Sequence, residues 1–177
     1  MVAASLGRGQ ILHRLTYCLL YCTLNYHNLF NMENYLAELY ERDLLRLKDE
    51  IKNFKDDYNI WRKKDGISNS AGTLVLHLTG NLNFCIGTKI GGTDYVRNRE
   101  QEFSATDVPR LELITGIENL IEVIKTSLKD ISQQRLEETY PLEFYGQKST
   151  AYYLAVFHAH LNYHLGQINY LRRILEG

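Results

Sequence analysis

Apolar residues recur at steps of three and four in four separate blocks of this chain. The first block is Leu36, Leu39, Tyr40, Leu44, Leu47, Ile51 and Phe54. That spacing follows the helical repeat and predicts one helix with one apolar face. Glu41, Arg42, Arg46, Lys48 and Glu50 fall between these positions and read as a solvated face. The pattern breaks at Lys64-Asp65-Gly66, and Ser68, Asn69 and Ser70 then offer oxygens that cap a helix N-terminus. A second helix is predicted from about Ser70 to Ile90, stopping at Gly91-Gly92, with Thr73, His77 and Phe84 facing inward. Pro109 suits the first turn of a third helix, which carries Leu113, Ile114, Ile117, Leu120, Ile121, Ile124, Leu128 and Ile131. The fourth opens near Ser149-Thr150 and presents Tyr153, Phe157, His160, His164, Gln167, Leu171 and Ile174 along one stripe.

Four amphipathic helices with no credible strand predict an all-α fold, an up-down four-helix bundle with two long loops at 91–108 and 133–148. Long loops in compact domains are often functional. The body, residues 32–177, reads as a single domain. Residues 1–31 differ from it: they hold Arg8 and Arg14, no acid, and Cys18 and Cys22. They are expected to be a disordered tail or a mis-assigned start, with a leader as the alternative. Cys18-x3-Cys22 alone is weak evidence of a metal site. The body has one further cysteine, Cys85, which fits a reducing cytoplasm and a protein not held by disulfides. A formal net charge of −1 gives no reason to expect nucleic acid. No run approaches the roughly 18 apolar residues of a membrane span.

The chemistry lies in the histidines. His160 and His164 are four apart, hence on one helix face with Cβ atoms roughly 5–6 Å apart. Two imidazoles at that spacing can share an ion, and His77 on the facing stripe offers a third. Three His and one position left for water or substrate is the pattern of a catalytic metal site. Convergence is expected inside the bundle near one end. His158, about 200° around the helix from His160, reads as a surface or interface residue. Gln167 and Asn81, each one turn from a candidate ligand, either orient that ligand or bond a neighbouring helix. Gly166 permits close helix approach. Cys85 reads as a buried thiol rather than a fourth ligand. Arg97 and Arg99 either grip a substrate carboxylate or phosphate, or pair with Glu100 and Glu102 to order the loop. Among the 13 tyrosines, Tyr140, Tyr145, Tyr152 and Tyr153 cluster at the second long loop, for packing or to present a hydroxyl to the site.

The segments NSAGTLVLHLTGNL, RNREQEFS and HLNYHLGQI, in that order, resemble the DinB-like superfamily, also called the YfiT-like metal-dependent hydrolases. The resemblance covers about residues 33–177 and lies closest to an uncharacterised branch. It implies a four-helix bundle, often a homodimer, with a divalent metal on His77, His160 and His164. It also implies transferase or isomerase chemistry with a low-molecular-weight thiol such as bacillithiol, mycothiol or glutathione. Family membership does not settle activity. Two functions follow as expectations. One is a metal-dependent thiol transferase or hydrolase acting on a small molecule, its reactive group a metal-bound water or thiol. The other is a non-catalytic metal-binding or structural dimer. Zinc is the default ion, and nickel, cobalt or iron also accept imidazole.

Overall fold

The computed structural model describes residues 32–177, and the expectations for residues 1–31, with Cys18, Cys22, His13 and His27, lie outside them. Among the described residues the structure is helical with no strand, as the apolar periodicity predicts. Helix α1 spans Met32–Lys52 and buries Leu36, Tyr40, Leu44, Leu47 and Ile51. Phe54 is buried just beyond its end. A short helix α2, Asp57–Trp61, is capped by Asp56, whose carboxylate accepts from Tyr58 N at 2.9 Å.

Helix α3, Ala71–Leu82, is the central element. Ser70 Oγ caps it by accepting from Thr73 N at 3.1 Å. It is buried on nearly every face, consistent with its almost wholly apolar sequence. It passes directly into a π-helical segment, Asn83–Thr88. That widening changes the helical phase, so Cys85 and Ile86 enter the core while Phe84, expected to face inward, is only half-buried.

The loop at 91–108 contains helix α4, Arg99–Ser104, capped by Asn98 and packed on α3. Helix α5, Arg110–Leu128, begins after Pro109 and buries Leu113, Ile117, Leu120, Ile121, Ile124 and Leu128. Ile131 lies past its end, after Asp130 with φ +57°. The second long loop contains helix α6, Gln133–Glu137. It is closed by backbone bonds from Tyr140 N to Lys148 O and from Thr150 N to Glu138 O. Tyr153 Oη ties its far side by donating to Gly146 O at 2.7 Å. Helix α7, Thr150–Glu176, capped by Ser149, closes the bundle against α3.

Helix α1 is joined to α7 by polar bonds under the apolar seam. Tyr40 Oη donates to Leu154 O at 2.7 Å. Asp43, fully buried, takes hydrogen bonds from Arg42, Arg46, Asn162 and His158, the last at 2.9 Å. His158 is therefore not a surface residue, because the face of α7 opposite His160 is covered by α1. No helix of the described residues is long and apolar enough to cross a membrane.

Candidate metal centre

His77 sits part-way along α3, while His160 and His164 sit one above the other near the middle of α7. Together they form a cluster whose ligand atoms all lie within 4.8 Å of one another. His77 Nε2 and His160 Nε2 are 3.0 Å apart. Two bonds of 2.0–2.1 Å at a tetrahedral angle would span about 3.4 Å, so a small adjustment accommodates a shared ion. The cluster is not enclosed as expected. Leu161, Leu165 and Ile168 form the core face of α7. His160 and His164 lie on its flank, half-buried, and His77 is buried. The site is a groove between two helices, mid-way along them rather than near one end.

Two side chains fix which nitrogens face inward. Glu102 Oε2 lies 3.0 Å from His77 Nδ1. Burial would raise the Glu102 carboxyl, but hydrogen bonds from Arg97 and His77 outweigh it and hold it below the usual range. An ionised carboxylate only accepts, so Nδ1 carries the proton and Nε2 keeps its lone pair. Likewise Gln167 Oε1 lies 2.7 Å from His164 Nδ1, which sets the same tautomer there. Gln167 thus holds the ring of a candidate ligand, His164, from behind. Asn81 Oδ1 is buried with no hydrogen-bond partner among the described residues.

All three imidazoles are pushed towards the neutral form a metal requires. Burial lowers each of them. For His160 the neighbouring His164 and His77 add to burial and bring it down to about 4. Burial outweighs Glu102 at His77 and Gln167 at His164. The donor set, three imidazoles held towards the neutral form with ring nitrogens within 4.8 Å of one another, fits a divalent ion.

Glu102 comes from α4, twenty-five residues along the chain from His77. The approach needs Gly80, where a Cβ would lie 2.8 Å from the Glu102 carboxyl carbon. Arg97 holds Glu102 from the other side through Nε at 2.6 Å and Nη2 at 2.8 Å. The Arg97 fork is thus engaged within the protein, as in the loop-clasp reading, with Glu102 and not Glu100 as its partner. Arg99 is exposed, without an acidic partner among the described residues. It lies over the Phe103 ring at 5.2 Å, and that ring lies 5.0 Å from His77. Tyr163, exposed, stands 5.1 Å from His164 on the α7 side.

Other candidates lie elsewhere. Cys85 is a buried thiol pushed up to about 11 by burial and takes no place in the cluster. Tyr140 Oη donates to Cys85 O at 2.8 Å, and Tyr153 Oη to the loop, so both hydroxyls act in packing. Glu102 entered the sequence reading only as an arginine partner. Its second bond, to His77, joins two segments with no local signal between them.

The family described as Protein of unknown function (DUF1572) matches residues 32–177. No curated protein matches the chain. The crystal structure of a conserved protein from Enterococcus faecalis is similar in fold, with a TM-score of 0.65 at 14% sequence identity. The match covers 81% of this chain and 96% of that one.

Proposed function

The chain belongs to the DUF1572 family of proteins of unknown function, and we propose that it is a divalent-metal protein of the DinB-like kind. His77, His160 and His164 would hold one ion. The observation that carries this reading is the convergence of three neutral imidazoles, two of them with Nδ1 fixed from behind. When bound, the ion would supply a Lewis acid at a site with one position left for a reactant. Zinc is the default, and nickel, cobalt or iron fit the same donors.

The reaction class we infer is thiol transfer or hydrolysis on a small molecule, with a low-molecular-weight thiol as co-substrate in the first case. The half-exposed flank supports access by a reactant, which the non-catalytic alternative would not need. Arg99 takes the anionic part of the substrate, since it is exposed and its guanidinium lies over the Phe103 ring, the other neighbour of which is His77. Arg97 acts behind it, holding Glu102. A homodimer in the cytoplasm completes the reading and rests on the resemblance and on the low cysteine content. The test is metal analysis of purified protein followed by a transfer screen with bacillithiol, mycothiol and glutathione. Turnover that disappears in His160→Ala supports an enzyme. A metal-loaded protein silent with every thiol and with ester and amide substrates favours the non-catalytic form.

A further inference from the structure

A cavity of about 390 Å³ lies between α7 and the loop that leads into α3. Ile67, Leu74, Gln167, Tyr170, Leu171 and Ile174 line it. No charged side chain does. Its size falls within the roughly 300–1,000 Å³ of small-molecule sites. Its register is set by both helices. Leu74 is three residues before His77 on α3, and Gln167 is three after His164 on α7, so each wall lies about 4.5 Å along its helix from a candidate ligand. The cavity therefore continues the groove that holds the three histidines.

Gln167 belongs to both. Its Oε1 is fixed by His164 Nδ1, so the amide cannot turn over without losing that bond. Its Nε2 is left without a partner among the described residues, at the wall of the cavity. The site thus offers an open groove floored by the buried Leu74 and Leu171, an oriented N–H donor at Gln167, the polar Ser68 and Asn69 on the loop side, and no charged side chain.

We propose that this cavity binds the apolar, uncharged end of an amide or ester substrate, with the carbonyl accepting from Gln167 Nε2. This deepens the metal-centre reading by naming a substrate class. It rests on that reading for its catalytic meaning but not for binding. Binding is therefore tested on the metal-free full chain. Hexanamide and acetamide are titrated while the methyl resonances of Ile67 and Ile174 are followed by NMR.

Hexanamide is expected to shift both resonances saturably and to bind about tenfold or more tightly than acetamide, since four more methylenes leave water. Ile174, half-exposed, tolerates a charge, and Ile174→Glu should abolish the difference between the two amides. Gln167→Leu should weaken hexanamide with the melting temperature kept. Equal response to both amides, or wild-type hexanamide binding in Ile174→Glu, overturns the proposal. So do resonances that move with protein concentration alone, which would make this face a contact between copies. Loss of the metal reading would appear separately, as protein that retains no ion.

Discussion

Glu102 on α4 accepts from His77 Nδ1 at 3.0 Å and thereby joins the long loop to the histidine cluster. Arg97 closes the link by gripping the same carboxylate through two nitrogens. Glu102→Gln keeps the shape and removes the charge. Metal affinity, measured by competition with a chromogenic chelator, is expected to fall about 10–100-fold. Unchanged affinity would reduce Glu102 to a loop clasp.

Gly80 and Gly166 respond in opposite directions to one methyl group. At Gly80 a Cβ meets the Glu102 carboxyl, so Gly80→Ala should lower both the melting temperature and metal affinity. At Gly166, exposed on α7, a Cβ meets nothing within 4 Å. Gly166→Ala should therefore stabilise by about 0.5–1 kcal/mol through backbone entropy, with metal affinity kept. A loss of stability at Gly166 would mean that another chain covers that face.

Asp43 sets an acid limit on the contact between α1 and α7. Burial alone would raise its carboxyl, but hydrogen bonds from Arg42, Asn162 and His158 outweigh burial and hold it at about 2. Its folded value is below its unfolded one of 3.8, so its contribution is complete above about pH 4 and lost as pH falls towards 2. Urea unfolding of wild type between pH 5 and 2 should show this loss. Asp43→Asn should be less stable at pH 5 and should flatten that part of the profile. His158→Ala leaves the buried carboxylate one donor short and should cost about 1–3 kcal/mol without affecting metal.

The four long helices were legible because each buries a continuous stripe. The histidine cluster was legible because i, i+4 spacing fixes two ligands on one face and the apolar setting of His77 selects the third. Helices α2, α4 and α6 are too short to show periodicity. The π-helical segment resets the helical phase with no compositional mark, which misplaced Phe84. At the far end of α7, the sequence stripe includes Ile174, which is half-exposed in the structure, beyond the last buried position of its face at Leu171. Asp43–His158 and Glu102–His77 were missed for one reason. Polar residues from distant segments resemble a solvated surface until the fold brings them together.

The central claim is that His77, His160 and His164 hold one divalent ion. Its most direct test is elemental analysis by mass spectrometry of the purified full chain beside His77→Ala and His158→Ala. About one ion per chain in wild type and His158→Ala, with loss in His77→Ala, is the predicted result. Wild type without a stoichiometric ion after incubation with zinc, nickel, cobalt or iron, or His77→Ala with its ion retained, would contradict it.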